Sequence, residues 1–278
     1  MLDQTNYKGV IVRKITTLIY CVLAVVFLLQ GCSSVRYNPT TYEYYINKEA
    51  LKKSPVKTVI IATVNVSGEP TRSILRDSVP KIDAMTEDYL TANGYEVLPQ
   101  HIFENAWRKA ILTHGDFYDP TSGKVDGKGW QIVMASTLAQ IKEEGSVDAV
   151  LFTDLIEHEV QHSPGLKHNA QWYGVTREPA VDGAADSVSV EFDWTQVIKG
   201  ASLIMTLYSP DGEPLFSSRG GLDTLHSIDK RRSDKSFVRR KKILSKDRFI
   251  EEGIQLSLHP LIKMEAWPGK TEEAKNDK

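Results

Sequence analysis

VDAVLFTDLIEHEVQHSPGLKH, residues 147–168, is the stretch that decides the fold of this chain. It follows an amphipathic helical pattern and Gly145, which is where an α/β fold places its next strand. From Val150 onward apolar and polar residues alternate in steps of two, as they do along a strand. Pro164 would remove a backbone donor from the last turn of a helix here. We therefore predict a β-strand, and the alternative is a helix over residues 154–162 with Thr153 as its N-cap.

The alternation also predicts which side chains of the strand meet water. Glu157, Glu159 and Gln161 fall on one face, which we predict to be the wet face. Asp154 and His158 are the exceptions, because these two polar residues fall on the face that carries the apolar side chains.

The choice between strand and helix decides whether the histidines of this stretch can share a metal ion. On a helix, His158 and His162 would lie on one face about 6 Å apart. On a strand the same two residues lie roughly 13 Å apart. Because zinc–nitrogen bonds are only about 2.1 Å long, two histidines on a strand cannot hold one zinc ion. The strand therefore predicts no metal site, no cofactor and no catalytic residue here.

The alternative rests on the motif H-E-x-x-H-x-x-G-x-x-H, which His158, Glu159, His162, Gly165 and His168 spell. This motif resembles, letter for letter, the zinc signature of the metzincin metallopeptidases. The resemblance implies that the three histidines ligate zinc, that the glutamate is the general base, and that the glycine lets the chain turn back to the metal. The chain would then be a lipid-anchored zinc metallopeptidase.

The N-terminus has the pattern of a bacterial lipoprotein signal peptide. Basic residues precede an apolar run over residues 15–29, and Leu29-Gln30-Gly31-Cys32 forms a lipobox. The run of about 15 residues is short for a membrane span, which needs roughly 20. We predict a signal peptide over residues 1–31, lipid (palmitate among its acyl chains) on Cys32, and a lipidated tether over residues 32–55. The alternative is an uncleaved anchor helix with a chance Gly-Cys.

Cysteine count and charge limit the chemistry of the mature chain. Cys21 lies in the apolar run and would leave with the signal, so Cys32 would be the only cysteine and would carry lipid. That excludes a disulfide and a thiol nucleophile. The formal net charge of −2 shows no bias towards nucleic acid. No aspartate directly follows Cys32, where lipoprotein families carry an inner-membrane retention signal, so the resemblance to bacterial lipoproteins implies the outer membrane, with the body in the periplasm of a Gram-negative type bacterium.

The rest of the chain predicts an α/β fold, a mixed β-sheet flanked by helices, in one periplasmic domain over residues 56–266. A charged tail, residues 267–278, is predicted to be disordered. The strand patterns are residues 57–66, 95–98, 147–152, 171–175, 188–192, 201–208 and 214–219. The helix patterns run from Ser78 to Asn93, and over residues 101–112, 130–144 and 247–259. The first strand, helix and second strand predict a parallel pair with a right-handed crossover.

Two polar segments have open roles. Residues 113–129 form a long loop rich in glycine and aspartate, whose aspartate spacing does not fit an EF-hand calcium loop, so we predict a solvated loop. Residues 230–242 carry two basic clusters. We predict a solvated loop there too, and the alternative is contact with anionic headgroups or an acidic partner.

Several sequence motifs, taken in their order along the chain, resemble those of a group of periplasmic lipoproteins. The group includes the CsgG-like curli-export lipoprotein, the N-terminal domain of TolB, and the lipoprotein activators of penicillin-binding proteins. The likeness is carried by the lipobox, VIIATV, NGYEVL, VDAVLF, the SPDG hairpin and SLHPL. The resemblance implies a non-catalytic protein that is anchored to the outer membrane through Cys32 and binds a protein partner there.

Overall fold

The computed structural model describes residues 44–63, 65–66, 73–118, 124–145, 147–163, 167–183, 188, 192–230 and 236–268. The predicted signal peptide, Cys32 and residues 269–278 of the predicted tail lie outside the described residues. So do residues 189–191, which form the middle of the predicted strand 188–192.

The described residues form an α/β fold with a mixed sheet flanked by helices, which confirms the predicted fold class. The strands are β1 (Tyr45–Ile46), β2 (Thr58–Ile61), β3 (Asn65–Val66), β4 (Glu96–Leu98), β5 (Ala149–Gln161), β6 (Ala170–Trp172), β7 (Val175–Arg177), β8 (Ala180–Asp182), β9 (Val197–Tyr208), β10 (Pro214–Thr224), β11 (His226–Asp229) and β12 (Phe237–Arg239). The helices are α1 (Lys48–Lys53), α2 (Ser73–Arg76), α3 (Val79–Ala92), α4 (His101–His114), α5 (Gly127–Glu144) and α6 (Asp247–Leu258).

The main sheet has seven strands in the order β1-β10-β9-β5-β2-β4, and β3 also pairs with β5. β2 runs parallel to both β4 and β5, which confirms the predicted parallel pair. β5, β9, β10 and β1 are antiparallel neighbours. β5 is the central strand, because β2 ends opposite Leu151 while β5 continues to Gln161 against the whole of β9.

Two hydrophobic cores lie on opposite faces of the sheet. Leu151 and Leu155 of β5 belong to a core formed with α3 and α6. Val150 belongs to a second core, formed with α4 and α5. In the first half of β5, side chains that point to either face of the sheet are therefore buried, because helices cover both faces there.

Local sequence signals predicted two helix ends correctly, whereas α5 begins at Gly127, three residues before its predicted start and within the predicted loop 113–129. α3 begins after Ser78 with a proline in its first turn, and α5 ends just before its C-cap Gly145, whose φ is +70°. The β9–β10 hairpin is also confirmed, and its turn contains Gly212 with a φ of +81°. No helix among the described ranges is long and apolar enough to span a membrane.

The fold begins earlier than the predicted boundary between residues 55 and 56. β1 pairs with the edge strand β10, and α1 follows with Asn47 as its N-cap. Ile46 and Leu51 pack against the core shared with α3 and α6. Residues 44–55 of the predicted tether are therefore part of the domain, because several of their apolar side chains are partly buried against its core.

Two other boundaries differ from the prediction. The stretch 171–175 is a tight hairpin rather than one extended piece, because Tyr173 and Gly174 both have positive φ and reverse the chain between β6 and β7. Trp267, the first residue of the predicted tail, stacks on His259 with ring centroids 4.0 Å apart. An aromatic ring that buries its face in this way is ordered with the domain.

Candidate functional site

The H-E-x-x-H motif lies on a strand and not on a helix, as predicted. β5 includes His158 and Glu159, which pair with Gly200 and Lys199 of β9. His162 follows immediately and makes an isolated bridge to Ala170. The helix that a metzincin-type zinc site needs is therefore not formed in this stretch.

His158 directs its ring towards protein groups. Its Nε2 lies 2.7 Å from the Ser202 hydroxyl oxygen, which also accepts a hydrogen bond of 3.0 Å from the Trp172 indole N–H. Its Nδ1 lies 3.3 Å from the carbonyl oxygen of Glu159. These partners fit a neutral imidazole whose Nδ1–H donates while Nε2 accepts from the hydroxyl. Burial lowers the pKa of His158 below its ordinary value, which favours the same neutral form.

His162 and His168 are held close to each other by one hydrogen bond and by aromatic stacking. The buried His162 donates from Nδ1 to the carbonyl oxygen of His168 over 2.6 Å, and its ring stacks on Phe237 with centroids 5.2 Å apart. His168 stacks on Trp194 at 3.6 Å, with the two rings parallel within 1°. Burial also lowers the pKa of His162.

The two motif histidines at this end of β5 therefore belong to an aromatic cluster. We define the distal cluster as His162, His168, Phe192, Trp194 and Phe237, whose rings contact one another in a chain. Its contacts are those of a small core, and stacking accounts for the orientation of both imidazole rings within it.

Among the described residues, no group of three or more His, Cys, Asp or Glu side chains could hold a metal ion. Glu159 is exposed and pairs with Lys199 over 3.1 Å. Gly165, the motif glycine, lies outside the described residues. The structure thus brings His162 and His168 together around aromatic rings, and it leaves His158 and Glu159 apart from them.

The predicted wet face of β5 is wrong at Glu157. Both of its carboxylate oxygens accept hydrogen bonds of 2.9 Å from the Arg239 guanidinium, and only 8% of its side chain is exposed. The hydrogen bond and the charge of Glu157 raise the pKa of Arg239. The neighbouring Arg240 pairs with the buried carboxylate of Asp223 at 2.7 Å. In the second basic cluster, residues 239–242, the two arginines are therefore occupied in ion pairs within the domain, whereas Lys241 and Lys242 are exposed.

Sequence reasoning did not predict the cavity that lies beyond the carboxyl end of β2. It has a volume of about 790 Å³ and is enclosed by α4, by β5 and β9, and by the residues that follow β2. β2 ends opposite Leu151, and beside Asp154 the neighbour of β5 is the short strand β3, which contributes Asn65 to the cavity lining. Crevices beyond the carboxyl ends of strands are where open α/β sheets bind their ligands.

Seven aromatic side chains are among the residues that line the cavity, and six of them form a continuous row, which we call the aromatic wall. Neighbouring rings contact one another with centroids between 4.7 and 5.7 Å apart. In order along the wall they are Tyr208, Phe152, Phe103, Trp107, Phe117 and Tyr118.

Asp154 places a carboxylate on this aromatic wall. Burial raises its pKa, while a hydrogen bond of 2.7 Å from the Asn65 side-chain amide acts in the opposite direction. Burial and the charge of Asp154 together raise the pKa of Tyr208. The only signal in the sequence was Asp154 itself, a charged residue on the apolar side of the alternation. The partners that complete the wall come from α4 and β9, which are distant in sequence.

Comparisons with known proteins identify no family for this chain. No family model matches it, and no curated protein matches it. Solved structures that are similar to it include the lipoprotein GNA1162 from Neisseria meningitidis, at 13% identity and a TM-score of 0.31, over 64% of this chain and 87% of that one. They also include a dodecamer of a PelC variant from Paraburkholderia phytofirmans, at 10% identity and a TM-score of 0.29, over 74% of this chain and 88% of that one. At such TM-scores neither similarity identifies a family or a function for this chain.

Proposed function

We propose that this chain is an outer-membrane-anchored periplasmic lipoprotein that acts by binding a protein partner, without catalysis. The observation that carries the proposal is the lipobox, Leu29 to Cys32, which stands a short distance before a folded α/β domain that begins at Tyr45. An acylated and N-acylated Cys32 would carry more than the two lipid signals that stable anchoring needs. The body would then stay next to the membrane, on the periplasmic face.

The geometry of the motif residues favours binding over peptide hydrolysis. A zinc peptidase needs three converging ligands and an open position for water. Here His158 Nε2 is turned to Ser202 and the buried His162 is stacked on Phe237. Glu159, the general base of the alternative, forms an exposed ion pair instead.

The anchor is tested by metabolic labelling with a palmitate analogue, followed by separation of inner and outer membranes. We expect label and outer-membrane location in the wild type, and loss of both in Cys32→Ala. Cys21→Ala is the matched control, because that cysteine lies within the apolar run and would leave with the signal. Label that persists in Cys32→Ala, or that disappears in Cys21→Ala, would contradict the proposed lipid site.

The absence of catalysis is tested on the full chain, purified in a non-ionic detergent. We expect less than one tenth of an equivalent of zinc per chain by mass spectrometry after dialysis against micromolar zinc, and no cleavage of denatured casein. One tight zinc per chain, lost together with casein cleavage in His162→Ala, would replace the proposal with the metallopeptidase. His114→Ala is the control, since that exposed histidine ends α4, away from the motif.

Partner binding is tested separately, by a photo-crosslinking amino acid placed at exposed positions of the full chain in living cells. We expect one protein to be crosslinked reproducibly from neighbouring positions on one face, and only when Cys32 is intact. Crosslinks scattered over all faces would argue against a defined partner.

A further inference from the structure

We propose that the cavity beyond the carboxyl end of β2 is a binding site for a small organic cation that has an aromatic or aliphatic body. The cavity is defined by its aromatic wall, by Asp154, and by Glu104, Asp116 and Arg108 at its mouth. This inference does not depend on the proposed anchor or on a protein partner.

The size and position of the cavity suit a small molecule. Sites for small ligands measure roughly 300–1,000 Å³ and carry a few polar groups on a mostly apolar wall. A volume of about 790 Å³ lies within that range. The position, at the carboxyl end of a parallel strand, is the usual one for ligands of open α/β sheets.

The aromatic wall provides surfaces for an apolar body and for a positive charge. Ring faces carry negative electrostatic potential, so a cation within about 6 Å of a ring centroid is attracted to it. Trp107 is only half-buried, although it stacks on Phe103 and contacts Phe117 edge-on. Part of its surface therefore remains for a ligand, and tryptophan is the side chain that attracts cations most strongly.

Asp154 provides the charge complement within the wall. Among the described residues, the side-chain amide of Asn65 donates a hydrogen bond to Oδ1 of the Asp154 carboxylate. A carboxylate offers about four acceptor positions, so acceptor capacity remains for an ammonium group. A cation here would offset the cost of burying this carboxylate, which the raised pKa of Asp154 reflects.

The charges at the mouth select against anions. Glu104 and Asp116 are exposed there, and Arg108 is the positive side chain among the described lining residues. With Asp154 included, negative charges outnumber positive ones among the described lining residues. Negative charges in a partly desolvated site repel an anion and attract a cation.

The test uses three probes that share one phenyl body: phenethylammonium, phenethyl alcohol and hydrocinnamate, which are positive, neutral and negative. Each is titrated by calorimetry into the full chain in a non-ionic detergent. We expect phenethylammonium to bind at least about tenfold more tightly than the alcohol, and hydrocinnamate not to bind, given cation–π and charge contributions of this size.

Variants assign the binding to the cavity. Asp154→Asn keeps the size of the side chain and should weaken phenethylammonium binding by about tenfold while leaving phenethyl alcohol unchanged. Glu159→Gln is the matched control, because it removes an exposed carboxylate from the same strand at a distance from the cavity. If Asp154→Asn does not fold, the deciding variant is Glu104→Gln. It changes an exposed residue and should weaken phenethylammonium binding about threefold.

Any one of several results would overturn the proposal. They are no binding of phenethylammonium at millimolar concentration, equal affinity for the alcohol, preference for the anion, and unchanged cation affinity in the variant that decides. A loss of affinity in Glu159→Gln equal to that in Asp154→Asn would also overturn it, because the effect would then be general to surface charge.

Discussion

The environment of Asp154 disfavours the charged form of its side chain. Its carboxylate lies on an aromatic wall, and burial raises its pKa above the ordinary value. Burial therefore disfavours the ionised form of this carboxyl group in the folded protein, relative to the unfolded chain, which solvates it better. Such a cost is typical of positions that are shaped for binding rather than for stability.

We predict that Asp154→Asn raises the melting temperature at pH 7. The raised pKa means that ionisation of Asp154 disfavours the folded state, so removing the charge should stabilise it. On acidification the folded state takes up the proton before the unfolded state does. The difference between the variant and the wild type should therefore shrink as the pH falls towards about 4. Calorimetric scans at several pH values measure it, and a difference that grows on acidification would contradict burial of the charge as the cause.

Glu157 is the opposite case, because its charge is fully partnered. Its two oxygens accept two hydrogen bonds from Arg239, at a position where the alternation of β5 predicts water. The two residues are 82 positions apart in the chain, so the partner could not be inferred from the pattern around Glu157.

We predict that Glu157→Gln lowers the free energy of unfolding by about 3 kcal/mol, because it leaves a guanidinium without its counter-charge. The matched control is Glu159→Gln, two residues along the same strand, whose exposed pair with Lys199 should contribute less than about 0.5 kcal/mol. Urea unfolding of both variants gives the comparison. Equal effects would show that the burial of Glu157 is not what makes its ion pair matter.

At the scale of elements, the contact between α6 and β10 depends on glycine. A Cβ on Gly220 of β10 would overlap the carbonyl oxygen of Gly253 in α6 and would lie 2.9 Å from the backbone nitrogen of Ser257. Because these are backbone atoms, they cannot move aside as a flexible side chain would. The helix therefore packs on the sheet at backbone distance, over the core that it shares with α3.

We predict that Gly220→Ala costs about 3 kcal/mol of unfolding free energy, at the upper end of overpacking effects. Gly127→Ala is the control, since that glycine begins α5 with nothing within 4 Å of the added carbon. It should be neutral or should stabilise by up to about 1 kcal/mol. Thermal unfolding distinguishes them, and a tolerated Gly220→Ala would mean that α6 can shift away from the sheet at little cost.

At the scale of the whole molecule, the described hydrophobic cores are formed by residues after position 44. β1 and α1 join the chain to the sheet edge before the first buried strand begins. The proposed anchor and the folded domain should therefore be energetically independent.

We predict that Cys32→Ala, which should remove the lipid, changes the melting temperature of the domain by less than about 2 °C. A shift of that size corresponds to roughly 0.5–1 kcal/mol for a domain of this length. Differential scanning calorimetry of both forms in the same detergent makes the comparison. A larger fall would show that the segment around the lipid stabilises the fold.

How far the fold could be predicted depends on whether its signals were local. Pro164 and the two-residue alternation placed the motif on a strand, and Ser78 and Gly145 marked helix ends. The early start of the fold was missed because Tyr45 and Ile46 form a strand only by pairing with β10. The β6–β7 hairpin was not predicted because Tyr173 has a positive φ, which is unusual for tyrosine and cannot be inferred from the residue type.

The sequence by itself determined the α/β class, the strand at the motif and the presence of a lipobox, because each depends on the order of nearby residues. Only the tertiary structure decided what the side chains of that strand do. His162 stacks within the distal cluster, Glu157 meets Arg239, and Asp154 faces a cavity. Each of these environments is made by groups that are distant in sequence, and only the packing of the sheet against its helices and loops brings them to β5.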